Sequence, residues 1–276
     1  MRKLHIALLS IAIFIVSCNS NPKTDKIKKD SVSVKNTEKV DSKVGLPEFS
    51  LTSITSNFSA YWIYHCYNVK LYRNFLATNE NDKPIKKEDF LLKLTKGKFL
   101  PLLIHSSNDT PHYKLAKIPA GIAKEVGAVI AAYAKTQLGY FKMEGKPVPR
   151  FNFKDVNGIS YSSENTKGKI LMFKCWFIGC VACVKEMPEL NEMVEAYKTR
   201  KDILFVSLAS DDKKPLQNFL TKTTFDYAVV PNQENYMLNK LGVNIFPTHL
   251  LIDKKGNIVK IVQDADEARE VLESIL

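Results

Sequence analysis

The second half of the chain, from about residue 146, predicts an α/β fold with a mixed sheet flanked by helices. Apolar runs typical of strands alternate with helical patterns up to the C-terminus, as expected when helices pack on a sheet. The run 169–175 has the composition of a buried strand, and a helical pattern follows it. The last two runs, 248–252 and 257–262, flank Lys254-Lys255-Gly256 and predict a terminal hairpin.

The other elements of this half continue the alternation. Asn157-Gly158 lies between two short apolar runs and is a strong hairpin signal. The helical pattern 180–197 contains Pro188, which is expected to kink a helix at a cost of roughly 3 kcal/mol. Hairpin strands are predicted at 151–153 and 159–161, further strands at 203–208 and 227–230, and further helices at 214–221, 234–241 and 267–276.

Residues 48–145 predict a separate small domain that is either α+β or mainly helical. A helix is expected at 87–94, a second at 121–138, and a strand at 99–104 whose Pro101 favours the edge of a sheet. The opening of this region is rich in aromatic residues, and its periodicity fits helix and strand equally. Core packing is the simpler interpretation of these aromatic residues, with a partner-binding surface as the alternative. They are Tyr61, Trp62, Tyr64, Tyr67 and Tyr72.

The N-terminus predicts export. Arg2 and Lys3 precede an apolar run, 6–16, which is too short for a comfortable membrane span and is typical of a secretion signal. The run ends Ile-Val-Ser-Cys18, which resembles a bacterial lipobox and implies cleavage after residue 17 and lipidation of Cys18. A plain signal peptide or an uncleaved anchor is the alternative. Residues 18–47 lack aromatic side chains and predict a flexible tether.

Composition excludes some function classes. The chain has 40 basic and 29 acidic residues, a formal net charge of +11. The lysines are spread along the chain, and no basic element with interleaved aromatic residues stands out, so no nucleic-acid partner is expected. Export would place the cysteines where disulfides form and persist.

Cys180 and Cys183 are the candidate reactive residues. They form a Cys-x-x-Cys motif where a predicted strand passes into a helix. The free N–H groups of a helix N-terminus favour a thiolate at Cys180, and Cys183 would lie one turn further on, ready to resolve a mixed disulfide. A zinc site is the main alternative, but no second close cysteine pair follows. Val184 stands where haem attachment needs histidine, so neither a cofactor nor a metal is expected.

This motif, together with Pro188 and the segment Phe246-Pro247-Thr248, resembles the thioredoxin superfamily, and most closely its TlpA/ResA-like lipid-anchored thiol–disulfide oxidoreductases. The resemblance covers residues 146–276 and implies a thioredoxin-like fold there. It implies that Pro247 is a cis-proline facing a Cys180–Cys183 disulfide, and that Phe246, Thr248 and Trp176 contact substrate. It also implies that Glu186 relays protons.

Two positions depart from the family pattern, and three other residues with reactive side chains lie outside the motif. Gly179 replaces a tryptophan that is common before the first cysteine, and should open the rim of the site. Lys174 stands where thioredoxins carry a buried aspartate, and we expect it to pair with Glu186 because an unpaired buried ammonium is costly. Cys175 and Cys66 are expected to be core thiols, with a disulfide between them as a minor alternative. His249 is expected to be structural rather than functional.

The resemblance implies a cell-envelope enzyme, facing the periplasm, that reduces disulfides of envelope proteins. Its partners would be those proteins, a membrane thiol electron donor, and the lipid membrane through Cys18. Oxidase or isomerase activity on the same fold is the alternative. A thiol peroxidase would need Thr or Ser at Phe177. A metal-handling lipoprotein using Cys180, Cys183 and His249, or a partner-binding lipoprotein, are the non-enzymatic alternatives.

Overall fold

A computed structural model describes residues 43–276. Within this range, the C-terminal half folds around a mixed sheet of five strands in the order β10-β9-β6-β7-β8, and a two-stranded hairpin, β4-β5, precedes it. The strands are β4 (Asn152–Lys154), β5 (Ser160–Ser162), β6 (Ile170–Trp176), β7 (Ile203–Ala209), β8 (Ala228–Val230), β9 (Thr248–Ile252) and β10 (Ile258–Val262). The helices are α5 (Val181–Lys185), α6 (Met187–Ala196), α7 (Lys213–Leu220), α8 (Glu234–Asn239) and α9 (Ala265–Ser274).

The central strand β6 is buried along its whole length. It pairs in parallel with β7 and antiparallel with β9, so both of its edges are hydrogen-bonded. Its even-numbered residues, such as Met172 and Trp176, enter one core, and its odd-numbered residues, such as Phe173 and Cys175, enter the core on the other face. A strand that is covered on both faces has a nearly continuous apolar sequence. This is why the bounds of β6 could be predicted from the sequence to within one residue.

The helices divide between these two cores. Helices α5, α6, α7 and α9 contribute side chains such as Met187, Leu216 and Leu272 to the core that contains both cysteines of the motif. Helix α8 and the β4-β5 hairpin cover the other face through Met237 and Phe153. This arrangement is the predicted mixed sheet flanked by helices.

The predicted long helix 180–197 is instead two helices that meet at Glu186. Glu186 is both the C-cap of α5 and the N-cap of α6, and Pro188 lies in the first turn of α6. A first-turn proline lacks only an N–H group that would have no intrahelical partner anyway, so the cost expected for an interior proline does not arise. The predicted interruption of the helical segment by Pro188 is therefore present, and it positions Glu186 at a helix junction.

The N-terminal region, defined here as residues 43–144, is α+β. It has a three-stranded sheet in the order β1-β3-β2 among the residues that the structure covers, and helices pack around it. Two strands, β1 and β3, were not predicted, and the aromatic opening segment is helical. The elements are α1 (Leu51–Ile54), α2 (Phe58–Asn68), β1 (Leu76–Thr78), α3 (Lys87–Leu94), β2 (Phe99–Ile104), β3 (His112–Lys117), a 3-10 turn (Ala120–Ile122) and α4 (Ala123–Met143).

Pro101 lies on an edge strand, as predicted. Among the strands of the described residues, β2 pairs with β3 alone, and on its other side only its C-terminal end makes an isolated bridge, between Ile104 and Pro47. On its other side the Tyr64 hydroxyl donates to the Pro101 carbonyl at 2.8 Å and accepts the Leu103 N–H at 2.8 Å. The side chain thus bridges the backbone beside the residue that cannot donate to a sheet. Tyr64 is buried in the same core as Tyr61, which favours the core-packing interpretation for these two aromatic residues.

Polar contacts join the N-terminal region to the C-terminal half. The Tyr72 hydroxyl donates to Asp264 Oδ2 at 2.5 Å, and Arg73 Nε lies 3.0 Å from Glu267 Oε2. Lys260, a buried residue of β10, lies 3.2 Å from Glu144 Oε1. Because these partners lie along β10 and the start of α9, the N-terminal region covers that edge of the sheet.

Some predictions fall outside these residues or involve the remaining cysteines. The signal segment 1–17, Cys18 and the tether as far as residue 42 lie outside the described residues. Cys175 is a fully buried thiol, and no disulfide links it to Cys66 in the structure. Cys66 is partly exposed on α2, so its assignment to the core was wrong.

Helix α4 approaches the end of α3 with no room for a side chain at Gly127. A Cβ atom there would lie 2.4 Å from the Gly97 carbonyl oxygen. Gly97 itself has φ +65°, a conformation that glycine adopts without strain. The two backbones are therefore in direct contact, and this contact fixes how α4 packs on the N-terminal sheet.

Gly127→Ala should destabilise the protein although it replaces glycine in a helix. Alanine normally stabilises a helix interior by about 0.5–1 kcal/mol relative to glycine, but a clash with backbone should cost about 1–3 kcal/mol. Gly139→Ala on the same helix is the matched control, since its Cβ would meet nothing within 4 Å. Urea unfolding should show opposite signs for the two variants. Stabilisation by Gly127→Ala would contradict the close contact.

Candidate active site

Cys180 and Cys183 lie at the start of α5 and are joined by a disulfide with an S–S distance of 2.05 Å. Cys180 is the N-cap residue, and its sulfur accepts the backbone N–H of Cys183 at 3.2 Å. Cys180 is 6% exposed and Cys183 is fully buried. The sulfur nearer to solvent is therefore also the one that receives an N–H group, and such a donor favours the thiolate after reduction.

The turn before Cys180 is held by a residue that the sequence did not single out. The Ile178 N–H donates to Asp211 Oδ2 at 2.8 Å, and the Cys180 N–H donates to the Phe177 carbonyl at 3.0 Å. Asp211 follows β7, the strand next to β6. Its carboxylate thus fixes the turn that presents the first cysteine.

Apolar side chains surround the disulfide. Val181, which directly follows Cys180, is 67% exposed. Phe177 and Phe246 contact each other edge to face, with ring centroids 5.5 Å apart. A Cβ atom on Gly179 would lie 3.3 Å from the Phe177 ring. Gly179 therefore does not simply open the rim, because Phe177 packs beside it.

The loop before β9 carries the predicted substrate residues. The Phe246–Pro247 peptide bond is cis. Phe246 packs against the core that contains both cysteines. The Thr248 side chain is buried, and its hydroxyl donates to the Ile245 carbonyl at 2.6 Å. No part of Thr248 is therefore exposed to a substrate on the surface, whereas Phe246 and Pro247 are partly exposed.

Behind Cys183 lies a buried charge cluster of Lys174, Glu186 and His249. Lys174 and His249 are directly opposite each other on β6 and β9, and both are fully buried. Lys174 Nζ pairs with Glu186 Oε1 and donates to the Cys183 carbonyl at 3.1 Å. His249 Nε2 lies 3.1 Å from the same Glu186 oxygen. The expected Lys174–Glu186 pair is present, and the sequence missed the third member, His249.

The cluster holds a charged carboxylate in a buried place. Burial is the largest influence on Glu186 and raises its pKa, but His249 and Lys174 together outweigh it, so the pKa is lowered overall. Burial lowers the pKa of Lys174, and the Glu186 carboxylate opposes that change. Burial raises the pKa of the neighbouring Cys175, which points to the other face of the sheet and is not activated.

Comparisons with known proteins agree with this geometry. A model of the Redoxin family matches residues 143–276. The thiol–disulfide oxidoreductase ResA of Bacillus thuringiensis subsp. konkukian is 31% identical over 144 residues, which are 50% of this chain and 82% of that protein. The chain belongs to the ResA-like thiol–disulfide oxidoreductases of the thioredoxin superfamily.

Other matches of this ResA-like enzyme cover a similar part of the chain. The ResA protein of Geobacillus thermodenitrificans is 30% identical over 135 residues, which are 48% of this chain and 77% of that protein. The solved thioredoxin domain of a thiol–disulfide oxidoreductase from Bacteroides vulgatus is 25% identical, with a TM-score of 0.43, over 48% of this chain and 96% of that chain. The family model begins at residue 143, so residues 48–142 lie outside it.

The resemblance to the ResA-like enzymes predicted that Trp176 contacts the substrate, and the structure places this residue elsewhere. Its side chain is fully buried and packs against Phe219 and Phe225, with centroid distances of 5.5 and 5.7 Å. A substrate on the surface cannot reach it, so the expected substrate contact was wrong. Its role is to fill the core beneath the cysteine turn, while Phe177 forms the exposed rim.

Glu186→Gln should destabilise this ResA-like enzyme at neutral pH. It should also make the free energy of unfolding less sensitive to pH in the acidic range. The variant leaves Lys174 buried without a carboxylate, which should lower the free energy of unfolding by about 3–5 kcal/mol. The folded-state pKa of Glu186 lies below the usual 4.5. Its stabilising effect is therefore complete above that pH and is lost as pH falls through the folded-state pKa.

Urea unfolding at pH 7, 4 and 3 measures this effect. The difference between the wild type and Glu186→Gln should shrink as pH falls below 4.5. Glu192→Gln on α6 is the matched control, because Glu192 is an exposed carboxylate on the same helix. A difference that is equal at all three pH values would contradict an ionised Glu186 in the cluster.

Proposed function

We propose that this enzyme reduces disulfides of cell-envelope proteins, with Cys180 as the nucleophile and Cys183 as the resolving thiol. The supporting observation is the asymmetry of the two cysteines. Cys180 is nearer to solvent and accepts an N–H group, whereas Cys183 is fully buried above the charge cluster. A buried second thiol is protected from substrates and can react only with the sulfur beside it.

The reaction transfers two electrons through two exchanges. The Cys180 thiolate attacks one sulfur of a substrate disulfide, and the other substrate sulfur leaves as a thiolate. Cys183, once deprotonated, attacks the Cys180 sulfur, and the second substrate sulfur leaves. The substrate gains two electrons and takes protons from solvent, and the enzyme keeps a Cys180–Cys183 disulfide. A dithiol donor at the membrane then reduces this disulfide by the same exchanges in reverse.

Glu186 is proposed to accept and return the proton of Cys183. Lys174 contacts both the Glu186 carboxylate and the Cys183 carbonyl, so the carboxylate is held close to the resolving residue. Glu186 is ionised at neutral pH and has a free acceptor site, but its lowered pKa makes it a weak base, so its role would be to pass the Cys183 proton onward rather than to keep it. This favours formation of the Cys183 thiolate, which the reductive direction needs.

The substrate chain is proposed to lie along Phe246, Pro247 and Thr248. Phe246 and Pro247 are partly exposed and would make the direct contact, whereas Thr248 is fully buried and its hydroxyl is bonded to the Ile245 carbonyl. Phe177 and Val181 add apolar surface beside Cys180. The metal-handling alternative is not favoured, because His249 is bonded to Glu186 within the buried cluster.

Cysteine variants test the assigned roles. Cys183→Ser should accumulate a mixed disulfide between Cys180 and a substrate protein, because the resolving thiol is missing. Cys180→Ser should accumulate very little, since Cys183 is fully buried. Non-reducing gels and mass spectrometry of the trapped species measure both. More mixed disulfide on Cys180→Ser than on Cys183→Ser would reverse the assignment.

Lipid attachment at Cys18 is proposed to keep the enzyme at the envelope membrane, facing the periplasm. Between residues 43 and 276, no helix has the length and apolar character needed to cross a bilayer. Cys18→Ala should therefore move the protein from the membrane fraction to the soluble fraction of cells, with Ser17→Ala as a control that keeps a small residue before the cysteine. Membrane retention of Cys18→Ala would contradict lipid anchoring.

A further inference from the structure

Helix α4 is shared by the two halves of the protein. Val126, Ile130 and Ala134 enter the core of the N-terminal region. Tyr140, near the end of the same helix, enters the core of the C-terminal half together with Val243 and Leu250. Most of α4 precedes the family match, which begins at residue 143. Most of the helix thus lies outside the family match, although its end contributes to the core of the matched half.

Tyr140 reaches the base of the loop that carries Pro247. Its side chain is 2% exposed, and burial raises the pKa of its hydroxyl. Among the described residues, the Tyr140 hydroxyl is buried without a hydrogen-bond partner, and the Tyr140 side chain lies in the same core as Val243 and Leu250, which flank the loop, with Phe246 of the loop packed against that core. One turn earlier on α4, Thr136 Oγ1 lies 3.3 Å from Asn244 Oδ1.

The position of α4 against this half of the protein is itself fixed. Gln137 Nε2 donates to Gln263 Oε1 at 3.0 Å, and the Tyr133 hydroxyl lies 3.4 Å from the same oxygen. Gln263 directly follows β10. The polar contacts of α4 with the sheet edge and with the loop therefore come from one helix face, while Val126, Ile130 and Ala134 of the same helix lie in the N-terminal core.

The loop has few internal supports of its own. The Val243 N–H donates to the Met237 carbonyl at 2.8 Å at one end, and the Thr248 hydroxyl donates to the Ile245 carbonyl at the other. Between these points, Asn244 is exposed and Phe246 only partly buried. The contacts from α4 therefore hold a part of the loop that has few hydrogen bonds within the loop itself.

We propose that α4 is a positioning element for the substrate-binding loop 244–248, so that recognition of protein disulfides depends on the N-terminal region. This inference rests on the proposed function, in which the loop binds the substrate chain. Tyr140 and Thr136 act through the loop and touch neither cysteine. Loss of their support should impair binding of a protein substrate more than the exchange chemistry at Cys180.

The test compares two aromatic-to-leucine variants of the full chain that are adjacent on α4. Tyr140→Leu removes the contact with the loop. Phe141→Leu is the matched control, because Phe141 packs against the core of the N-terminal region. Turnover of insulin, the protein disulfide, is measured with dithiothreitol as the electron donor that re-reduces the enzyme. Reduction of 5,5′-dithiobis(2-nitrobenzoate), the small disulfide, is measured as a single turnover of pre-reduced enzyme.

Tyr140→Leu should raise KM for insulin by about tenfold, since small misplacements of binding groups have large effects, while kcat for insulin and turnover of the small disulfide stay near wild type. Phe141→Leu should leave KM for insulin unchanged. If Tyr140→Leu does not fold, Thr136→Val keeps the helix volume and should raise KM in the same direction.

Two results would overturn the inference. One is an unchanged KM for insulin in Tyr140→Leu, or in Thr136→Val if that variant carries the test. The other is an equal rise of KM in Phe141→Leu, which would show a general effect of instability. Failure of the wild type to turn over either disulfide would instead contradict the proposed function, and the inference would fall with it.

Discussion

A fully buried ammonium group on the central strand organises this site. Lys174 lies on β6, which is covered on both faces, so its charge cannot reach water. Such a group is tolerated only with a close counter-charge and further hydrogen-bond partners. The Glu186 carboxylate and the Cys183 carbonyl supply both. The break between α5 and α6 places Glu186 where it can meet this need, and His249 shares the same carboxylate.

The same constraint links stability to chemistry. The cluster lies under the buried cysteine, and Lys174 contacts both the Glu186 carboxylate and the Cys183 carbonyl, so the carboxylate that stabilises Lys174 is held close to the resolving end of the disulfide pair. Thioredoxins place a buried aspartate at the position of Lys174, and this chain has the opposite charge there with its acid on the helix junction. A buried carboxylate therefore still lies behind the disulfide, but it comes from the helix junction instead of from the central strand. On the outer side, Asp211 and the Phe177–Phe246 contact define how Cys180 is presented.

Sequence reasoning located most of the C-terminal half because buried strands and hairpin turns have local signals. It placed β9 at residues 248–252, and it predicted the Lys174–Glu186 pair from the cost of an unpaired charge. Strand β1 has only three residues and carries too little signal, and the aromatic α2 fits two periodicities. The contact of Asp211 with a backbone N–H has no sequence pattern at all, and the depth of Trp176 depends on packing by Phe219 and Phe225.

The central claim is that Cys180 and Cys183 form a reducing two-electron couple. A redox titration of the protein in thiol–disulfide buffers, with mass-spectrometric trapping of each cysteine, tests it most directly. The account predicts that both cysteines convert together between dithiol and disulfide, with a potential near the value of about −270 mV found for thioredoxin. A potential near −120 mV would indicate an oxidase, and cysteines that never interconvert with a disulfide would contradict the redox centre itself.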